Sequence, residues 1–161
     1  MTELCTQLVN LLAKNGLTIS TAESCTGGLI AKCITDVPGA SAVFFGGVVS
    51  YDNSVKQNVL SVKAKDLLTY GAVSDPVACQ MARGVRTLMK TDIGISTTGI
   101  AGPGGGTPEK PVGTVYIGLS LGKETESLRL NICPTFTRDE IRVETVKTII
   151  KWVVEKILQS Y

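Results

Sequence analysis

The alternation of short β-prone runs with stretches of helical periodicity constrains the fold of this 161-residue chain more than any other feature. The β-prone runs cover residues 17–22, 43–51, 93–97, 112–121 and 124–132. The last two runs flank Gly122-Lys123 and predict a hairpin. Strands separated by helices form parallel sheets, whereas a hairpin adds antiparallel strands. The pattern therefore predicts an α/β protein, namely a three-layer α/β/α sandwich around a mixed, mostly parallel sheet.

Helices are predicted between these strands and at both ends of the chain. Apolar residues at helical spacing place them at residues 4–15, 29–37, 55–70, 75–90 and 137–158, the third being one or two short helices. The last helix begins with a capping box formed by Thr137 and Glu140. Because the length fits one domain and no repeat or linker is visible, we predict a single domain over residues 1–161.

The chain contains no histidine, which restricts its possible chemistry more than its fold. Nucleophilic mechanisms that use an imidazole base, such as Ser-His-Asp and Cys-His, are excluded within this chain. Zinc sites with histidine ligands are excluded as well. A hydrolase built from this sequence needs a lysine, a carboxylate, a tyrosine or an activated water as its base.

Charge and cysteine content argue against several other classes of protein. A net charge of +2 without a Lys/Arg-rich run does not favour a nucleic-acid partner. Five cysteines without a CxxC pair fit neither a disulfide framework nor a zinc ribbon, and they are typical of a reducing cytosol. No signal-peptide pattern is visible, and no apolar run reaches the ~18 residues of a membrane helix. We therefore expect a cytoplasmic protein that binds neither nucleic acid nor membrane.

The segment T-A-E-S-C-T-G-G, residues 21–28, lies between the first predicted strand and the next helix. Open α/β sheets place their active sites at such carboxyl ends of strands. Backbone N–H groups near Gly27 and Gly28 can stabilise an oxyanion or hold a phosphate at a helix N-terminus. The alternative interpretation is a Ser/Thr-rich helix cap with a buried Cys25.

A second candidate segment, residues 98–111, contains five glycines and three prolines and follows the strand at 93–97. Glycines at this density allow the backbone to approach a ligand closely. The segment matches neither a P-loop nor a GxGxxG motif. It is therefore either a ligand-contacting loop or a mobile surface loop.

Lys56 follows the second strand, five residues after Tyr51. A lysine beside a serine acts as its base if burial or a neighbouring cation lowers the pKa of the lysine. Taken alone, Lys56 is better explained as a solvated surface lysine, which is the default for that residue type.

Arg138 and Arg142 lie at i and i+4 in the first turns of the last helix and share a face. Cations at a helix N-terminus oppose the macrodipole, so two of them suggest a bound phosphate or carboxylate. The alternative is pairing with Asp139, with Glu140 or with a neighbouring chain.

Five sequence blocks in a fixed order resemble one known family along nearly the whole chain. They are TAESCTGG at 21–28, VVSYxNxxK at 48–56, GAVS at 71–74, STTGIAGPGGG at 96–106 and KPVGTV at 110–115. These blocks resemble the CinA C-terminal domain family, also called the PncC-type nicotinamide mononucleotide (NMN) deamidases. The chain resembles the stand-alone form, without the additional N-terminal domain of longer members.

The resemblance implies that the carboxamide of NMN is hydrolysed to nicotinic acid mononucleotide and ammonia by a serine/lysine amidohydrolase, without a metal or another cofactor. Carried over by position, the serine is Ser24, the lysine is Lys56 and the tyrosine is Tyr51. The arginine of the family corresponds to Arg138 or Arg142. The predicted substrate-binding residues are Thr26, Gly27, Gly28, Gly99, Gly102, Gly104, Gly105, Arg138 and Arg142.

The hypothesis that follows is a mechanism without histidine. Neutral Lys56 takes the proton of Ser24, whose oxygen attacks the carboxamide, and water then hydrolyses the acyl-enzyme. Amides near Gly27 and Gly28, or of the glycine-rich loop, hold the oxyanion. Tyr51 hydrogen-bonds the lysine or stacks on the pyridinium ring, while an arginine and the loop hold the phosphate.

Three further points stay open at this level. Cys25 is an alternative nucleophile, which would work with Glu23 and a lysine in a nitrilase-like set. The chain is alternatively a nucleotide-binding regulatory module without catalysis. A homodimer is expected because symmetric dimers are common and a neighbour can complete a small pocket.

Overall fold

The computed structural model describes residues 1–160 and contains one five-stranded sheet. The strands are β1 (Ile19–Glu23), β2 (Phe44–Val49), β3 (Ile93–Gly99), β4 (Thr114–Leu121) and β5 (Glu124–Asn131). The helices are α1 (Thr2–Asn15), α2 (Leu29–Thr35), α3 (Asn53–Leu60), α4 (Ala64–Tyr70), α5 (Asp75–Met89) and α6 (Arg138–Ser160), with a short 3₁₀ turn at Ala40–Ala42. The predicted domain extends to residue 161, which lies outside the described residues.

The order of strands across the sheet is β2-β1-β3-β4-β5. β1 pairs in parallel with both β2 and β3, whereas β3 with β4 and β4 with β5 pair antiparallel. Four strands therefore run in one direction and only β4 runs against them. This arrangement confirms the predicted mixed sheet, in which the antiparallel pairings come from the late hairpin.

Helices cover both faces of the sheet. α1, α2 and α6 pack together on one face around the larger apolar core, and α5 covers the other face with α3 and α4 beside it. The central strands β1 and β3 are buried almost throughout, as expected for strands covered on both faces. The predicted three-layer sandwich is confirmed. None of the helices within residues 1–160 has the length and apolarity required to cross a membrane.

The bounds of the elements differ from the predicted ones by a few residues. The first strand begins at Ile19, two residues later than predicted, and α2 ends at Thr35, before Pro38. A β-bulge in β2 leaves Phe45 unpaired, beside the glycines that predict a bend there. At the start of α6, the carboxylate of Glu140 accepts the N–H of Thr137, which confirms the capping box.

The topology brings three chain segments together at one edge of the sheet. β1 and β3 are parallel neighbours, so the turn after Glu23 and the loop after Gly99 begin side by side. β2 ends at the same edge and is followed by α3, which contains Lys56. Segments that are far apart in the sequence are therefore neighbours in the fold.

Candidate active site

Ser24 occupies the first position of the turn that joins β1 to α2. Its backbone N–H donates to the carbonyl of Thr97 in β3, and its own carbonyl accepts the N–H of Gly27. Gly27 and Gly28 have φ angles of 58° and 97°, which residues other than glycine rarely adopt. The two glycines therefore allow the tight turn that presents Ser24 at the edge of the sheet.

Lys56 is almost completely buried, with 1% of its surface exposed. Its Nζ lies 3.2 Å from Oγ of Ser24 and donates to the carbonyls of Ser50 and Tyr51 at 2.6 and 3.3 Å. α3 fixes this position, and the Asp52 carboxylate caps that helix by accepting the N–H of Ser54. Lys56 is therefore not a solvated surface lysine, and the structure joins it directly to Ser24.

The surroundings of Lys56 suit a neutral amine. Burial lowers the pKa of Lys56, while the Asp52 carboxylate opposes this shift. A neutral amine has two N–H groups and one lone pair. As an ammonium, Nζ donates to all three oxygens; as a neutral amine it keeps the bonds to the carbonyls of Ser50 and Tyr51, and its lone pair then faces the hydroxyl proton of Ser24. The contact can therefore transfer a proton from serine to lysine.

Cys25 differs sharply from its neighbour Ser24. Burial, with a smaller contribution from the Glu23 carboxylate, raises the pKa of the Cys25 thiol to about 12. Only 6% of the residue is exposed. A thiol that stays protonated at neutral pH is a poor nucleophile, so the surroundings favour Ser24 over Cys25.

A cavity of about 230 Å³ opens directly above the Ser24–Lys56 contact. It is lined by Ser24, Cys25, Tyr51, Asn53, Lys56, Ala72, Val73, Thr98, Gly99, Ala101 and Arg138. A larger groove of about 520 Å³ lies between the β4–β5 hairpin and the end of α6, where Lys123, Glu126 and Lys156 line it. We assign the site to the smaller cavity, because it combines a nucleophile, a buried base and a cation.

The structure separates the two arginines of α6. Arg138 lines the cavity and donates to the carbonyl of Gly102 and to the hydroxyl of Tyr51, both at 2.8 Å. Arg142 instead donates to the carbonyl of Thr26 at 2.8 Å and does not line the cavity. Within residues 1–160, neither arginine forms an ion pair with a carboxylate. Arg138 is thus positioned to reach a ligand, whereas Arg142 supports the Ser24 turn.

Tyr51 accepts a hydrogen bond from Lys56 through its backbone carbonyl. Its hydroxyl accepts from Arg138, and the side chain is 62% exposed at the cavity. The hydrogen bond from the tyrosine side chain to the lysine that the sequence suggests is therefore replaced by one to Arg138. The exposed ring remains free to stack on a planar ligand.

Glu23 has a role that the sequence pattern does not reveal. Its buried carboxylate accepts the hydroxyl of Thr26 at 2.6 Å and the N–H groups of Gly28, Ile30 and Ala31 at 3.1, 3.0 and 2.9 Å. An acidic residue just before a predicted helix N-terminus is the only sequence signal that points to such a cap.

Three of the predicted substrate-binding residues are engaged inside this turn. The hydroxyl of Thr26 is fully buried and bonded to Glu23, and the N–H of Gly28 also donates to Glu23. The N–H of Gly27 donates to the carbonyl of Ser24. The amides of Gly27 and Gly28 themselves therefore already have partners within the protein, and the predicted oxyanion donors near them must be sought among the neighbouring amides or in the glycine-rich loop.

The glycine-rich loop is only partly at the cavity. Gly99 lines it, and the carbonyl of Gly102 accepts from Arg138. A side chain at Gly102 would come within 2.7 Å of Val112, so the close packing of this loop requires glycine there. Gly104 and Gly105 are exposed and do not line the cavity.

Comparisons with known proteins agree with this architecture. A crystal structure of the competence/damage inducible protein CihA from Agrobacterium tumefaciens superposes with a TM-score of 0.92 at 39% identity, covering 96% of this chain and 93% of that chain. A CinA superfamily protein from Klebsiella pneumoniae gives 0.93 at 32% identity, with 98% of both chains covered.

Curated relatives show the same likeness in sequence. A relative from Caldanaerobacter subterraneus, whose name describes it as competence-damage inducible, is 54% identical over 139 residues, which are 86% of this chain and 33% of that protein. A CinA-like protein from Leptospira borgpetersenii is 47% identical over 154 residues, or 96% of this chain and 37% of that protein. The chain thus spans about a third of the length of these relatives. The family model of the CinA C-terminal domain matches residues 1–157, and the chain belongs to that family.

Proposed function

We propose that this chain hydrolyses the carboxamide of NMN to nicotinic acid mononucleotide and ammonia, with Ser24 as nucleophile and Lys56 as base. The observation that supports this most strongly is the distance of 3.2 Å between Nζ of the buried Lys56 and Oγ of Ser24, in a chain without histidine. The identity of the substrate follows from the family resemblance.

The first half of the reaction forms an acyl-enzyme. Neutral Lys56 takes the proton of Ser24, and Oγ attacks the carboxamide carbon. The tetrahedral intermediate collapses when the protonated Lys56 returns the proton to the amide nitrogen, so that ammonia leaves. The cationic pyridinium ring makes the carbonyl carbon more electrophilic and assists the attack.

The second half releases the acid by the same proton route in reverse. Lys56 takes a proton from water, which attacks the ester carbon of the acyl-enzyme. The intermediate expels Oγ of Ser24, which recovers its proton from Lys56. Lys56 carries the proton in both halves of the reaction, and no step requires a metal or another cofactor.

Stabilisation of the oxyanion falls to the middle of the turn. The amides of Ser24, Gly27 and Gly28 donate to partners within the protein. We therefore assign this role to the backbone N–H group of Cys25, which follows the nucleophile directly and belongs to a residue that lines the cavity. Such preorganised donors act where the negative charge develops.

The cation and the aromatic ring at the mouth of the cavity fit the rest of NMN. Arg138 supplies a guanidinium for the phosphate, since arginine binds phosphate oxygens in a bidentate manner. Tyr51, whose ring is 62% exposed beside Arg138, offers a face for the pyridinium. The glycine-rich loop borders the same opening through Gly99 and Gly102.

The proposal is tested by ammonia release from NMN, with wild type, Ser24→Ala and Cys25→Ala assayed in parallel. We expect Ser24→Ala to lower kcat at least about 10³-fold and Cys25→Ala to stay within about fivefold of wild type. The cysteine variant is the matched control, because it removes the adjacent nucleophile.

Two results would contradict the proposal. If Ser24→Ala keeps its activity while Cys25→Ala loses it, the thiol is the nucleophile. If the wild type binds NMN but releases no ammonia, the chain acts as a nucleotide-binding regulatory module.

A further inference from the structure

We propose that Glu23 is a positioning residue that holds both partners of the Ser24–Lys56 contact at their working distance. The inference rests on the proposed function, because it assigns Glu23 a role in that reaction. Glu23 does not line the cavity, so it acts on the reaction only through the groups it holds.

The Glu23 carboxylate is used entirely inside the protein. The residue is 1% exposed, and within residues 1–160 it has no cationic partner at ion-pair distance. Four donors surround it instead: the hydroxyl of Thr26 and the N–H groups of Gly28, Ile30 and Ala31. Hydrogen bonds to an ionised acceptor are stronger than neutral ones, so this cluster fixes the turn and the start of α2.

The same cluster joins the turn to β3. Oγ1 of Thr26 lies 2.6 Å from the Glu23 carboxylate and 2.7 Å from Oγ1 of Thr97. Since a carboxylate only accepts, Thr26 donates to Glu23 and Thr97 donates to Thr26. Ser24 lies between Glu23 and Thr26 in the chain, and its N–H donates to the carbonyl of Thr97. The nucleophile is therefore fixed from both sides.

The backbone of Glu23 reaches the lysine through one intermediate residue. Its carbonyl accepts the N–H of Ser50 at 2.8 Å, and the carbonyl of Ser50 accepts from Nζ of Lys56 at 2.6 Å. The side chain of Glu23 thus fixes the serine and its backbone helps to fix the lysine. Loss of the carboxylate therefore removes the bonds that hold the Ser24 turn, while the backbone bond that leads to Lys56 stays in place.

The variant Glu23→Gln isolates this effect, because it keeps the shape and replaces one accepting oxygen by an NH₂ group. That group cannot accept from the buried N–H groups, so the turn must relax to satisfy them. A shift of about 1 Å in a reacting atom can cost about 10²-fold in rate. Binding of the substrate is expected to change little, because Arg138 and Tyr51 belong to other elements.

The test compares Glu23→Gln, Thr26→Val and Thr26→Ser with wild type. Thr26→Val removes the hydroxyl between Glu23 and Thr97, and Thr26→Ser restores it as the matched control. Two readouts are measured per folded protein: kcat and KM for ammonia release from NMN, and the rate at which a fluorophosphonate labels Ser24. In the labelling reaction Oγ of Ser24 attacks phosphorus, fluoride leaves, and the serine proton passes to Lys56.

We expect Glu23→Gln to lower both kcat and the labelling rate about 10- to 100-fold, with KM within about threefold of wild type. Thr26→Val should lower both by a smaller factor, and Thr26→Ser should recover most of the loss.

The inference is overturned if Glu23→Gln keeps kcat within about twofold of wild type and loses only thermal stability. It is overturned equally if Thr26→Ser is no better than Thr26→Val, and this pair decides the question where Glu23→Gln does not fold. A further outcome is that the fluorophosphonate labels wild type, with the variants slowed as predicted, yet wild type releases no ammonia from NMN. That result would refute the proposed substrate and leave the positioning role of Glu23 intact.

Discussion

The turn after β1 and the glycine-rich loop after β3 begin side by side at one edge of the sheet, yet they are built in opposite ways. In the turn, Glu23 and Thr26 use nearly all of their polar groups within the protein, and Arg142 supports it from α6. The loop exposes Gly104 and Gly105, and a side chain added at Gly104 would meet open space. At the mouth of the cavity, Arg138 of α6 donates to the carbonyl of Gly102 in this loop.

This difference matches two separate requirements of catalysis. A reacting oxygen must be held within a fraction of an ångström, which favours a turn whose hydrogen bonds are complete. A loop that contacts the remote part of a substrate tolerates more freedom. Substitutions in the turn should therefore act on kcat, whereas those at the loop and at Arg138 should act on KM.

The largest effect is expected for Lys56→Met, which replaces the base by an apolar side chain of similar length. We expect kcat to fall about 10³-fold, because within residues 1–160 Lys56 is the titratable side chain bonded to Oγ of Ser24. The free energy of unfolding should not fall, since a buried amine is exchanged for a well-packed thioether. Ammonia release and chemical denaturation measure the two quantities, with the exposed Lys65→Met as control. A loss of activity that matches a loss of folded protein would contradict the assignment.

The two arginines should separate binding from positioning. Arg138→Gln is expected to raise KM for NMN about 10- to 100-fold, since a charged hydrogen bond to the phosphate is lost. Arg142→Gln should leave KM nearly unchanged and lower kcat, because Arg142 contacts the turn at Thr26. Steady-state kinetics of both variants measures this, and equal effects on KM would remove the distinction.

Two glycine substitutions compare the turn and the loop directly. Gly28→Ala places an alanine at a backbone φ of 97°, which should lower the free energy of unfolding by about 1–2 kcal/mol. We expect kcat to fall about tenfold as the turn shifts. Gly104→Ala meets open space and should change kcat and stability very little. Thermal unfolding and kinetics of the pair test the comparison. If the Gly104 variant loses kcat as strongly as the Gly28 variant, catalysis depends on the conformation of the loop as strongly as on that of the turn.

Much of the fold was predictable because periodicity and turn residues act locally. The late hairpin, the end of α1 at Gly16 and the capping box at Thr137 all follow from short-range patterns. The bounds shift where tertiary contacts decide, as at β1, which begins two residues later than its β-prone run. The single domain, the homodimer and the cytoplasmic location remain predictions.

The sequence predicts which residues form the candidate site, but it does not predict how they are arranged. The motif resemblance places Ser24 and Lys56, yet only the fold shows that Lys56 is buried between two carbonyls. Arg138 and Arg142 share a helix face, so sequence spacing cannot assign one to the cavity and the other to the turn. The sequence suggests Glu23 only as a partner of Cys25, and its bonding to the turn was missed because its partners are mostly backbone N–H groups, which leave no mark in the sequence.

The central claim is that Lys56 acts as a neutral base toward Ser24, and the pH dependence of kcat/KM for NMN tests it most directly. Burial lowers the pKa of Lys56, so the neutral fraction grows as pH rises through that lowered value. We predict that kcat/KM rises with pH to a plateau, with a midpoint below the ordinary lysine range, and that this limb disappears in Lys56→Met. A profile that is flat from acid to alkaline pH, or a limb that survives in Lys56→Met, would contradict the account.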